Sequence, residues 1–219
     1  MKRGLVLVEG QTEERFVNDV LAPAFRSYDF HLTPTLLITK RVKSGAHFRG
    51  GVTTYGKMRN DLKRLLNTSG GAVVTTIIDY YGLPADTPGM KTRPNASPLD
   101  RVIHIEEHIR RDLGSPKNFL PFLALHEFEA WLFSSADELP RALTSKSSAF
   151  AAVCAGFDNP EDIDEGPTTA PSKRILEMFP SYRKALHGPL TAQRIGLDRI
   201  RSRCPHFAAW LSALQNIVS

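Results

Sequence analysis

The sequence predicts an α/β fold: a parallel sheet flanked by helices over residues 1–135, followed by a helical and loop-rich extension over 136–219 packed on that core. Three observations lead there. Short apolar, β-branched runs alternate with stretches of helical spacing. Three of those runs close on acidic residues. After Ser134 the strand-like runs stop and the pattern turns helical.

Leu5 to Val8 is continuously apolar and is closed by Glu9-Gly10, as expected of a buried parallel strand. Thr12 is a candidate N-cap, and Glu13 and Glu14 put negative charge in the first helical turn. Phe16, Val17, Val20 and Leu21 recur with helical spacing, and Pro23 is expected to end or kink that helix. Leu32 to Ile38 reads as a second strand, weakened at its start by Pro34. Lys40 to Thr54 is basic, bears glycines and reads as a loop. Tyr55, Met58, Leu62, Leu65 and Leu66 form the stripe of a second helix. Gly70-Gly71 turns the chain into the apolar run Ala72 to Ile78, which ends on Asp79. Gly82 to Pro98 is a proline- and glycine-rich excursion. Ser97-Pro98 opens a third helix with Val102, Ile105, Ile109 and Leu113 on its buried side and Gly114 as its stop. Phe119 to Leu125 is a fourth strand-like run, passing into His126-Glu127-Phe128-Glu129-Ala130-Trp131.

The 219 residues suit one core with an appendage, and 42% hydrophobic with 23% charged residues excludes a globally disordered chain. No apolar stretch approaches the roughly 20 residues that cross a bilayer. The Leu5–Val8 run is too short for a signal-peptide core, so a soluble cytoplasmic protein is expected. Cys154 and Cys204 are too few for a disulfide framework or a zinc site. The net charge of +5 permits a polyanionic partner. Its distribution is uneven: Lys40, Arg41, Lys43, His47 and Arg49 crowd one segment, and Arg194, Arg199, Arg201 and Arg203 another.

In an open parallel sheet the C-terminal strand ends share one edge, where ligands bind. Glu9, Asp79 and the pair Glu127 and Glu129 all follow apolar runs, and Glu13 lies one helical turn beyond Glu9. Carboxylates gathered there repel one another unless protonated, paired or metal-bound. A hard divalent cation such as magnesium accepts such oxygen ligands and can activate water against a phosphodiester. The plainer reading of each acid alone is a helix cap or turn former. Two other chemistries are excluded: Glu9-Gly10-Gln11-Thr12-Glu13 lacks the Gly-Lys-Ser/Thr of a nucleotide-binding loop, and no Gly-x-Ser-x-Gly elbow occurs.

Leu7-Val8-Glu9-Gly10-Gln11-Thr12-Glu13 resembles the first signature of the Toprim domain, shared by topoisomerases, primases, recombination proteins and the nucleases of the overcoming-lysogenization-defect (OLD) type. More closely, the chain resembles a Toprim-like family, domain of unknown function 4276. The matching segments are Val8 to Val17, Phe48-Arg49-Gly50-Gly51, Asp79 to Pro84, His126 to Ala130, Pro160 to Ile163 and Thr169 to Arg174.

That resemblance implies a magnesium-dependent nuclease core, with manganese as a substitute, acting on DNA or RNA. Glu9 matches the Toprim glutamate, Glu13 a second acidic position, and Asp79 the first residue of the usual Asp-x-Asp pair. The second position of that pair holds Tyr81, so a further ligand is expected from Glu127 or Glu129. Lys173 is the candidate for the lysine placed near the scissile phosphate. Arg49, with Lys43 and Arg41, is the candidate phosphate-holding set in the basic loop. Related proteins imply a separately encoded ATPase partner in defence against phage. The alternative, prompted by Tyr81, is an inactive subunit that binds nucleic acid or protein without cutting.

Overall fold

The computed structural model describes residues 2–37, 54–145, 148–163, 166 and 168–218. Its centre is a parallel sheet. β1 (Lys2–Val8) lies between β2 (Phe30–Leu36) and β3 (Val73–Asp79), and β3 pairs on its other side with β4 (Phe119–Leu120) and β5 (Leu123–Ala124). The α/β architecture expected from the alternating pattern is therefore what forms.

β1 continues into α1 (Gln11–Phe16), a π-helical turn (Val17–Leu21) and α2 (Ala22–Phe25). Pro23 does not end this helix. The wider turn precedes it, with the Ala22 N–H reaching back to the Val17 carbonyl, and the Asp19 carbonyl that Pro23 cannot satisfy accepts from Gln193 Nε2 at 3.5 Å. β2 runs Phe30–Leu36 with Pro34 inside it, opposite Val6. The strand is at the sheet edge, where a missing N–H need not break a ladder.

α3 (Tyr55–Thr68) and α4 (Pro98–Asp112) cover one face of the sheet. Ser97 caps α4 through its hydroxyl, which accepts from the Asp100 N–H at 3.1 Å. The fourth apolar run gives two short strands rather than one. Pro121 has no N–H to donate, and the Thr76 hydroxyl replaces the ladder locally: it donates to the Phe122 carbonyl at 2.6 Å and accepts from the Phe122 N–H at 2.8 Å.

A 3₁₀ segment (Phe128–Ser134) leads into α5 (Glu138–Ala142), α6 (Ser148–Ala155), α7 (Pro171–Met178), α8 (Lys184–Ile195), α9 (Leu197–Arg203) and α10 (Pro205–Val218). Strand residues alternate between two cores. Leu7, Val74 and Ile78 pack with α3 and α4 residues. Val6, Val8, Val73 and Ile77 join Phe16, Trp131, Ile195, Phe207 and Trp210 on the other face. One hydrophobic cluster thus spans residues before and after 135. Among the described residues no helix is long and apolar enough to cross a membrane.

Candidate active site at the C-terminal edge of the sheet

β1 and β3 are adjacent and parallel, so their C-terminal ends deliver Glu9 and Asp79 to the same edge. The two residues touch: the Asp79 N–H donates to Glu9 Oε2 at 3.3 Å. Glu13, in the first turn of α1, accepts from the Gly10 N–H through Oε2 at 2.9 Å. Its Oε1 is buried without a hydrogen-bond partner. Glu9, Gly10, Thr12, Glu13, Asp79 and Lys184 line a cleft of ≈ 240 Å³.

Lys184, the first residue of α8, closes the cleft. Its side chain is 40% exposed, yet its ammonium lies 3.0 Å from Asp79 Oδ2 and 3.0 Å from Glu129 Oε2, on carboxylates only 10% and 0% exposed. Asp79 Oδ1 accepts from the Phe128 N–H at 2.8 Å. Glu129 Oε1 accepts from the Tyr182 hydroxyl at 3.3 Å.

α8 brings Lys184 here because it packs closely on α1. A Cβ on Gly188 would stand 3.4 Å from Thr12 Cγ2 of α1 and 3.1 Å from both the Phe128 ring and the Tyr182 hydroxyl, so any larger residue would have to displace these neighbours. Arg15 Nη1 ties the same helix to α1 through the Ala185 carbonyl at 2.9 Å.

The electrostatics follow from this crowding. Burial, then repulsion from Asp79 and Glu13, raises the Glu9 carboxyl to about 8. Burial and Asp79 raise Glu13 to about 7. Burial likewise lifts Glu129 to about 7 against the pull of Lys184. Burial disfavours the Lys184 charge, but Asp79 and Glu129 outweigh it and hold its proton affinity well above the ordinary lysine range. Fully ionised, these carboxylates would outnumber the one ammonium, and the raised values are how the cluster limits that excess.

Of the residues singled out in the sequence, Glu9, Glu13 and Asp79 come together, and Glu129 joins them through Lys184. Glu127 does not. Its two oxygens accept from the Ser172 N–H (2.9 Å) and hydroxyl (3.0 Å) at the start of α7. Lys173 is exposed on α7 and does not line the cleft. The lysine among the carboxylates is instead Lys184, which the sequence reading missed. Arg41, Lys43 and Arg49 lie outside the described residues. Tyr80 is buried with its hydroxyl held by Arg93 Nη1 at 2.9 Å, whereas Tyr81 is 38% exposed. His126 is buried in a left-handed conformation (φ 66°), and its carbonyl accepts from the Tyr81 N–H at 2.8 Å. Among the described residues, no three acidic, histidine or cysteine side chains stand close enough to enclose a metal ion unaided.

The sequence model of a domain of unknown function (DUF4276) matches residues 8–215. The chain belongs to this family. The DUF4276 match begins at the last residue of β1 and runs through α8, so it takes in every residue of the cleft. No curated protein matches the chain. Among solved structures, this DUF4276 chain is similar to the C-terminal region of the Burkholderia pseudomallei OLD protein, at 17% identity and a TM-score of 0.45, over 100% of both chains. It is also similar to the C-terminal region of the Xanthomonas campestris pv. campestris OLD protein, at 16% identity and a TM-score of 0.42, over 99% of this chain and 98% of the other.

Proposed function

We propose that this protein is a nuclease that hydrolyses nucleic-acid phosphodiester bonds with the help of a divalent cation, magnesium or manganese. One observation carries the reading: the buried, partnerless Glu13 Oε1 lies in a cleft shared with Glu9 and Asp79. An ionised carboxylate oxygen buried among like charges is costly unless it takes up a proton or a cation reaches it, and a divalent cation relieves several carboxylates at once. The donors are all hard oxygens. Magnesium is commonly held by one or two carboxylates with water and substrate phosphate completing its sphere, so a full protein cage is not required.

Two of the carboxylates Glu9, Glu13 and Asp79 would hold the cation, with water and the substrate phosphate completing its sphere. When bound, such a cation polarises the phosphate and makes water a better nucleophile. The chain's residues supply the rest. The Phe128 N–H fixes Asp79, Glu129 and Tyr182 fix the lysine end of the cleft, and the Lys184 ammonium, paired here with Asp79 and Glu129, would meet a phosphate oxygen once it leaves Asp79. Lys173 and the basic loop residues Arg41, Lys43 and Arg49 would guide the backbone, making binding salt-sensitive. A separately encoded ATPase that triggers cutting, in a system acting against phage, completes the proposal and rests on the Toprim resemblance.

A second reading, a binding subunit without catalysis, is favoured by Tyr81 and by the Lys184 ammonium already paired with Asp79. Cleavage assays on DNA and RNA decide between them. The nuclease reading expects cutting with magnesium or manganese that stops on chelation and in Glu9→Ala and Asp79→Ala. Cutting that survives excess chelator overturns it. Nucleic-acid binding without cutting or metal uptake selects the second reading.

A further inference from the structure

We infer that Lys184 is the resident counter-cation of the metal-free cluster, and that a divalent cation entering between Glu9, Glu13 and Asp79 displaces its ammonium from Asp79 while Glu129 keeps it tethered at the rim. This rests on the metal-dependent reading above and says how the cleft changes between its two states.

The oxygens decide it. Asp79 Oδ1 already accepts from the Phe128 N–H at 2.8 Å, and Oδ2 is the oxygen that Lys184 holds at 3.0 Å, so the open acceptor capacity of Asp79 adjoins the ammonium. Glu13 Oε2 is taken by the Gly10 N–H, and Oε1 is open. A cation held by Asp79 with Glu9 or Glu13 would come close to the ammonium on the same carboxylate, and the repulsion between the two positive charges in a buried cleft favours moving the mobile one.

The lysine can yield without unfolding anything. Its side chain is 40% exposed, which gives the head group a route outward. Its second partner, Glu129, is fully buried and fixed from the other side by Tyr182. The root of the side chain stays put, because Gly188 and the Arg15–Ala185 contact lock α8 against α1. Displacement is thus a movement of one side chain from a carboxylate towards the cleft mouth, where the substrate phosphate would lie. Metal entry and the freeing of a phosphate-binding ammonium become one event.

Two measurements test this on the full chain. In the first, Mn2+ binding is followed by calorimetry. Removing the competing charge in Lys184→Met is expected to tighten Mn2+ binding about ten-fold, while Lys184→Arg stays near wild type. Equal or weaker binding by Lys184→Met overturns the inference and leaves the metal reading standing. Absence of any Glu9-dependent Mn2+ uptake by the wild type removes both. The second needs no variant. Acylation of Lys184 in the wild-type protein, read by peptide mass spectrometry, is expected to rise several-fold when Mg2+ is added, because the freed ammonium loses one partner. An unchanged or reduced rate overturns the displacement.

Discussion

Replacing Glu13 by glutamine should stabilise the metal-free protein. The carboxylate is 3% exposed, and burial, followed by the Asp79 charge, raises it from 4.5 to about 7. Between those two values the folded chain binds a proton that the unfolded chain has released. Stability therefore falls as pH rises through that window, and the loss is complete above it. At about 1.4 kcal/mol per unit, the ionised form costs the fold up to about 3 kcal/mol. Lys184 returns part of this, and Glu9 and Asp79 share the repulsion, so about 2 kcal/mol is a fair expectation for the relief in Glu13→Gln. Glutamine keeps a carbonyl oxygen for the Gly10 N–H. For a chain of this size, about 2 kcal/mol moves Tm by about 4–8 °C. Thermal melts in chelator at about pH 8 should show that increase, shrinking as pH falls through the window and vanishing below about pH 3.5, where both states are protonated. Mn2+ should raise wild-type Tm and do less for the variant. A variant that melts with or below the wild type at about pH 8 would refute the claim that this cluster is held together against its own charge.

Further outcomes follow from neighbouring contacts. His206 Nε2 meets Glu106 Oε1 at 3.0 Å in a nearly buried pair. Burial disfavours the imidazolium, but the Glu106 hydrogen bond and charge outweigh it, so the histidine titrates above its ordinary 6.5. Its stabilising contribution is full below 6.5 and fades as pH rises through the folded value. Urea titrations should show this slope in the wild type and its loss in Glu106→Gln, although Glu106 Oε1 also accepts from the Leu123 N–H. Gly188→Val should displace α8 from Phe128 and Tyr182, costing about 1–3 kcal/mol and weakening Mn2+ binding; an unchanged Tm would show that α8 does not depend on that close approach.

The sheet was legible because buried parallel strands are written as uninterrupted apolar runs, and the meeting of Glu9 with Asp79 was legible because strands of one direction end at one edge. What the sequence hides is tertiary. Pro34 argues against a strand until its edge position is known. The split between β4 and β5 is announced by Pro121, but the substitute ladder comes from Thr76, a residue of another strand. The lysine is the instructive miss. Lys173 and Lys184 both stand in the first turn of a helix, α7 and α8, where the helix dipole disfavours a cation. That local oddity marks both equally. Only the packing of α8 on α1, through a glycine, turns Lys184 into the cleft, while α7 offers its Ser172 to Glu127 instead.

The same packing makes the C-terminal segment part of the site and of the fold. Trp210 stacks on Phe122 with ring centroids 4.4 Å apart, and its Nε1 donates at 2.9 Å to Thr75 Oγ1 on the central strand β3. Phe207 packs against Trp131 at 4.7 Å. Removing residues 136–219 would strip one face of the sheet of its aromatic cover and leave Asp79 and Glu129 without Lys184 and Tyr182. Both losses act together: apolar surface is exposed and buried carboxylates lose their counter-charge. A 1–135 fragment should therefore bind a hydrophobic dye, lack a cooperative melt and take up no Mn2+ at the wild-type affinity. Should it melt cooperatively and bind Mn2+ as the whole chain does, the sheet would be an independent unit and Lys184 an accessory to it. The shared aromatic core argues the opposite: the acidic edge is held in place only when α8 and α10 are docked.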